Sequence, residues 1–201
     1  MKKTLLVASS NPGKIIEIKA ILSSLDINII SSIDLGLDIH VNETGATYAE
    51  NALLKALAYH QQTDLITLAD DSGLEVDLLD GAPGIFSARF SPKEKASDAD
   101  RRQFLLEKLY GRPSPWKAYF HCAAILIDQA GSHFESSGQC DGVIIPEEHG
   151  SGGFGYDPIF YLPEHNATMA EIPAGLKNQI SHRAKAIRAI VPTLKQVFLL
   201  N

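Results

Sequence analysis

The apolar run TLLVAS (4–9) is short and continuous, the pattern of a strand buried on both faces. It stops at Ser-Asn-Pro-Gly. Apolar residues then recur at 15, 18, 22 and 25, a helical repeat for which Asn11 is a suitable cap and Pro12 a suitable first residue. INIISSIDL (27–35) predicts a second strand and its exit loop. A helix is expected from about Thr47, where Ala49, Ala52, Leu53, Ala56 and Leu57 are small or apolar and Thr47, Asn51 and Lys55 form a polar stripe at i, i+4, i+8. LITLA (65–69) reads as a strand, ended by a Ser-Gly turn, and LEVDLL (74–79) as a separate half-exposed strand before the GAPG turn. Ser97 with Asp100 opens a helix that Gly111 stops. WKAYFHCAAILID (116–128) and HFESSGQCDGVII (133–145) predict an antiparallel strand pair. A final helix follows Ser181, and Pro192 is expected to kink or split it.

Strands and helices alternate early while strands cluster later, which favours an α/β fold with a mixed sheet. The 201 residues contain no repeat, low-complexity tract or linker, so the expectation is one domain over 1–201. A net charge of −6 argues against a nucleic-acid backbone as partner, and any anionic ligand must be held by local positive groups. Cys122 and Cys140 lack metal-ligand spacing and read as free buried thiols of a reducing compartment. The amino-terminal apolar run is only Leu5 to Ala8, and no stretch approaches the ~18 apolar residues of a membrane span. A cytoplasmic protein without membrane contact is expected.

Polar chemistry collects in five places. SSNPGK (9–14) is a strand–turn–helix junction where backbone N–H groups can meet phosphate, and Lys14 opposes the helix dipole there. The second is the helix stripe with Glu50, Asn51 and Lys55, and Glu43 just upstream. The third is Asp70-Asp71-Ser72-Gly73. On an extended strand the two carboxylates point to opposite faces, so they serve different purposes, and a Mg²⁺ ion held by one of them would relieve their repulsion. The fourth is GSGGFGYDPIF (150–160), whose glycines allow close backbone approach and whose Phe154 and Tyr156 could clamp a planar base. The fifth is LKNQISHR (176–183), which puts His182 and Arg183 in the first turn of the last helix, where an anion or a base edge would explain their charge. Singly, each has a plain alternative: a solvated lysine, a polar helix face, a surface turn, a soft loop, a surface pair. Together they supply the parts of a nucleoside triphosphate site.

SSNPGK, TYAENALLKA, LADDSGLEVDLLDGAPGIFSARF, GGFGYDPIF and ISHRAKA, in this order and spacing, resemble the dITP/XTP pyrophosphatase family, the inosine triphosphate pyrophosphatase-like enzymes that remove non-canonical purine triphosphates. The resemblance runs from Leu5 to about Leu194. It implies a long mixed sheet with flanking helices and two lobes around a central cleft, Mg²⁺-dependent hydrolysis to a monophosphate and pyrophosphate, and a homodimer. It implies Asp71 as catalytic base and metal ligand, Ser72 as a substrate contact, and Ser9, Ser10, Asn11, Pro12, Gly13 and Lys14 as the phosphate loop. Phe154, Gly155, Tyr156, Asp157, Lys177, His182 and Arg183 match the nucleotide contacts. Some relatives carry two consecutive acids before the Thr-Gly that precedes the second helix, whereas this chain reads HVNETG, with Asn42 at the first of these places. Glu43 is therefore the expected second metal carboxylate, with Glu50 or Asp70 as alternatives.

Lys14, Lys55 and Lys177 are then expected to add fixed positive charge to the phosphates. Arg183 or His182 is expected to donate to the 6-oxo group of hypoxanthine or xanthine, which adenine lacks. Asp70 is left as a bracing partner. A pyrophosphatase for modified pyrimidines and a non-catalytic nucleotide sensor are the competing readings.

Overall fold

The computed structural model describes residues 3–37 and 39–200, so the expected domain bounds at residues 1 and 201 lie outside the described residues. Seven strands form one sheet: β1 (Thr4–Val7), β2 (Asn28–Ser31), β3 (Ile66–Val76), β4 (Trp116–Ile127), β5 (His133–Ile144), β6 (Phe160–Leu162) and β7 (Ala167–Thr168). Their order is β2-β1-β3-β4-β5-β6-β7. β1 pairs in parallel with β2 and β3, and every later pairing is antiparallel, which gives the mixed sheet. The helices are α1 (Pro12–Ile21), α2 (Tyr48–Thr63), α3 (Asp98–Leu109), α4 (Ala174–Ile180) and α5 (His182–Phe198).

Strand alternation decides which helix covers which face. Leu5, Val7 and Leu68 pack with Ile15 and Ile18 of α1 and Ile187 and Ile190 of α5. Their neighbours Leu6, Ala8 and Ala69 point the other way and pack on Ala52, Ala56 and Tyr59 of α2. A third cluster, with Leu74 and Val76 of β3, Leu105 of α3, Phe120 of β4 and Phe160 of β6, fills the far half of the sheet. Along β3 the handover between these cores falls at residues 70–73, the opening of the cleft.

The Ser-Gly turn expected after Asp71 does not exist. Residues 66–76 run as one strand, with Asp70 opposite Ala124 and Gly73 opposite His121 of β4, because the long β4 supplies a continuous ladder. Gly73 serves close approach instead: a Cβ there would lie 2.2 Å from the Gly84 carbonyl oxygen and 2.7 Å from Ser87 Oγ, in the 3-10 turn Gly84–Arg89. Pro192 does not split α5, which runs unbroken to Phe198. The short β6, β7 and α4 lack enough residues for a readable period. The caps expected of Asn11, Ser97 and Ser181 are all made, and Thr47 caps α2. Cys122 and Cys140 are free and buried. Among the described residues no helix is long and apolar enough to cross a membrane.

α5 rests directly on β5. A Cβ at Gly138 would stand 2.4 Å from the His182 carbonyl oxygen and 2.6 Å from the Ala186 nitrogen, both backbone atoms that cannot rotate aside. Gly138→Ala is therefore expected to cost about 1–3 kcal/mol by overpacking, read as a lower urea midpoint at unchanged m-value.

Candidate active site

The two aspartates of β3 take opposite faces, as strand geometry requires. Asp70 turns to the α1/α5 face and is buried; Asp71 turns to the α2 face and lines a cleft of about 320 Å³.

Asp70 is one link in a chain of alternating charges. Lys14 Nζ of α1 lies 3.1 Å from Asp70 Oδ2, which also accepts Arg183 Nε–H of α5 at 3.1 Å. Arg183 Nη1 donates to Glu17 Oε2 at 2.5 Å, and Glu17 Oε1 lies 2.8 Å from Lys177 Nζ of α4. Lys177 donates in turn to Asp157 Oδ2 at 2.5 Å. Lys14, Arg183 and Lys177 thus balance Asp70, Glu17 and Asp157. Burial alone would raise the Asp70 carboxyl, but Lys14, Arg183 and Lys55 outweigh it and hold it well below the usual carboxylate range. Burial likewise opposes the charge on Lys177, and Asp157 with Glu17 reverses the effect, keeping it an ammonium.

On the other face, Lys55 Nζ of α2 sits 3.1 Å from Asp71 Oδ1 and 3.0 Å from Glu43 Oε1. Buried Asn51 pins the loop carrying Glu43, its Oδ1 accepting the Gly45 N–H at 2.8 Å. Glu50 is exposed and spends its carboxylate on the Ala46 N–H at 2.6 Å, so it is no partner for Asp71. Two carboxylates sharing one ammonium leave one negative charge over and offer hard oxygen donors. That set fits Mg²⁺, which takes one or two protein carboxylates together with phosphate oxygens. No group of three or more His, Cys, Asp or Glu suited to a metal occurs among the described residues.

Of the expected phosphate loop, Ser9, Ser10, Asn11 and Lys14 line the cleft. Pro12 begins α1, and Gly13 lies under the Phe154 ring, where a Cβ would come within 2.6 Å of Phe154 Cδ1. Phe154, Gly155, Tyr156, Asp157, Lys177, His182 and Arg183 also line the cleft, but several are tied to other groups. Tyr156 is packed in the third core and its hydroxyl donates to the Ser87 carbonyl at 2.9 Å, so it cannot swing over a base. Arg183 is 1% exposed and its guanidinium is committed to Asp70, Glu17 and, through Nη2 at 2.9 Å, Ser72 Oγ; it braces the site and is poorly placed to read a base. Lys177 is held by two carboxylates, with Nζ 4.9 Å from the Phe154 ring centroid.

His182 stacks on Phe120, with centroids 4.7 Å apart, and its buried Nδ1 has no hydrogen-bond partner among the described residues. Burial, helped by Arg183 and Lys177, lowers its pKa well below the usual value, so it is a neutral imidazole. The residue patterns above passed over Glu17, which reads as one more polar residue on a helix face three positions after Lys14. They also passed over Phe120, Asp98 and Arg101, which line the cleft from β4 and α3. A larger hollow of about 680 Å³ borders β5 but mixes Asp77, Asp141 and Glu164 with Lys117 and Lys185 and contains none of the candidate site residues.

Comparison with known proteins gives a consistent result. The family model described as Ham1 family matches residues 5–193. A dITP/XTP pyrophosphatase of Desulforamulus reducens is 41% identical over 196 residues, covering 97% of both chains. One of Geobacter sulfurreducens is 46% identical over 184 residues, covering 91% of this chain and 92% of the relative. The solved structure of a HAM1 protein from Coxiella burnetii superposes with a TM-score of 0.85 at 38% identity, covering 96% of this chain and 99% of that one.

Two outcomes follow from the geometry. Glu17→Ala takes one of two carboxylate partners from each of Lys177 and Arg183 and is expected to lower the unfolding free energy by about 3–5 kcal/mol in urea titrations. Because the folded pKa of His182 is depressed, the unfolded state binds the extra proton and stability falls as pH drops below the unfolded value of about 6.5. His182→Asn should flatten the slope of stability against pH there by up to about 1.4 kcal/mol per unit, measured as the difference from wild type.

Proposed function

The chain belongs to the Ham1 family, and from that premise we propose that it hydrolyses dITP, ITP and XTP to the monophosphate and pyrophosphate, so keeping these purines out of DNA and RNA. One observation carries the reading: Asp71 opens into the cleft beside Glu43 and Lys55, while adjacent Asp70 is turned away into a neutralised ion-pair chain. A carboxylate left facing a cleft beside a phosphate-type helix terminus is what a hydrolytic base requires.

Asp71 and Glu43 are the residues proposed to hold Mg²⁺, which when bound supplies neutralisation of phosphate oxygens and of charge developing on the leaving pyrophosphate. Ser9, Ser10, Asn11 and the Lys14 ammonium receive the phosphates at the start of α1. Lys55 adds fixed positive charge beside the reacting centre. Asp71 takes the proton from the water approaching the α-phosphorus. Ser72 contacts substrate and is oriented for it by Arg183. Phe154 forms an aromatic wall of the slot, and neutral His182, which lines the cleft, donates to the 6-oxo group. Adenine would leave that donor facing an amino group, a mismatch worth ~10⁴ or more in specificity. The whole chain acts as one catalytic domain, in the cytoplasm and as a homodimer; free Cys122 and Cys140 suit that reducing setting.

The test is pyrophosphate release from a panel of dITP, XTP, dATP, dUTP and methylated dGTP, with and without Mg²⁺. Turnover of dITP and XTP with Mg²⁺ only is expected, and Asp71→Asn should reduce kcat by about 10²–10⁴. Preference for the pyrimidine or methylated nucleotide would overturn the substrate assignment, and undiminished turnover by Asp71→Asn would overturn the base.

A further inference from the structure

α3 carries none of the motifs above, yet its first two turns grip the glycine-rich segment that bears Phe154. Asp98 Oδ2 accepts the Gly155 N–H at 2.7 Å, and Arg102 Nη1 donates to the Gly155 carbonyl at 2.8 Å. Both anchors are themselves fixed. Arg101 donates to the other carboxylate oxygen of Asp98. Arg102 meets Glu148 fork to fork, Nε and Nη2 each donating at 2.8 Å. The start of α3 is ordered in turn by the reciprocal Ser97–Asp100 capping box.

The grip acts where the backbone has least preference of its own. Gly155 has φ +62°, in the left-handed region open to glycine, and no regular strand or helix spans 150–155. What it fixes is the residue just before. The Phe154 ring lies over Gly13 of the phosphate loop and faces Lys177 and Arg183, with the Arg183 Cζ 5.6 Å from its centroid. The Phe154 N–H is held separately by Asp157 Oδ2 at 2.8 Å, a carboxylate oxygen that Lys177 of α4 also holds.

We propose that Asp98 and Arg102 are positioning residues for the nucleotide: by holding the N–H and C=O of Gly155 they set the Phe154 ring against the phosphate loop and fix the width of the nucleotide slot. The proposal rests on the pyrophosphatase reading and deepens it. Both residues act through Phe154, and neither is among the groups assigned to the triphosphate, which are Asp71, Glu43 and Lys55 on the α2 side and the 9–14 loop at the start of α1. Loss of the grip therefore weakens binding and leaves the chemical step nearly intact. Because both anchors hold one glycine, losing the second after the first adds little.

The experiment measures steady-state kinetics with inosine triphosphate and, by calorimetry, binding of inosine monophosphate. Asp98→Ala and Arg102→Ala are each expected to raise KM about tenfold with kcat changed less than about threefold, and to weaken monophosphate binding by a similar factor. The double variant should be little worse than the poorer single one, and Asp98→Asn, which keeps an acceptor oxygen toward Gly155, should recover most of the wild-type KM. If Asp98→Ala fails to fold, Arg102→Ala, which leaves the capping box intact, carries the test. Unchanged KM and monophosphate affinity in a folded variant, a fall confined to kcat, or fully additive losses would each overturn the positioning role. A wild type inert toward every triphosphate would overturn the pyrophosphatase reading instead, whereas an active wild type with unaltered variants overturns the grip alone.

Discussion

The chain Lys14–Asp70–Arg183–Glu17–Lys177–Asp157 is the constraint on which the rest of the molecule depends. Each of these charges would be costly in the interior if it stood alone, and breaking a buried pair leaves an uncompensated charge. Along the chain of contacts they alternate in sign, so every group finds its partners on another element. The chain thereby fastens α1, β3, α5, α4 and the 154–157 segment to one another. The packing of two apolar cores against the sheet brings these segments close, and the ion pairs fix their relative positions. The loop that begins α1 is consequently held in register with the histidine that begins α5, although 168 positions separate Lys14 from His182 in sequence.

The same arrangement sets the electrostatics of the cleft. On the Asp70 face positive and negative charges cancel. On the Asp71 face Glu43 and Asp71 exceed Lys55 by one negative charge. A triphosphate gains little from fixed charges that already nearly cancel, so the proposed binding needs a divalent cation to arrive with it. The leftover carboxylate charge lies on the α2 side, where that cation is assigned. Had Asp70 and Asp71 shared a face, the lysine and arginine that neutralise the first would also have neutralised the second. The proposed base would then have been held by those cations in addition to Lys55.

Much of the fold was legible because strand and helix periods and caps are local signals. The run 4–9, the helix from Thr47 and the antiparallel pair 116–145 each announce themselves within a dozen residues. What failed was the turn at Ser72-Gly73, where a glycine required by packing against the Gly84 carbonyl looks like a glycine required by a bend. The motif residues were legible in place but not always in role. Tyr156 looks like a base clamp until Ser87, 69 residues away, is found to hold its hydroxyl. Arg183 looks like a base reader until Glu17 is seen to occupy it, and nothing in the sequence around Glu17 marks it as buried. Roles decided by a partner distant in sequence leave no local pattern.

Adjacent acids on a strand are thus an efficient way to build a hydrolytic site. Two consecutive residues reach both faces of the sheet at nearly the same height, so one set of backbone hydrogen bonds to β4 positions both. The inner carboxylate can be given to structure, drawing the cationic helices α1 and α5 onto the sheet. The outer one then inherits that rigidity without sharing the cations that produce it. The two aspartates are not interchangeable in this scheme: moving the pair by one residue would bury the proposed base among Lys14 and Arg183 and turn the brace out to Lys55, reversing the site with no change in composition.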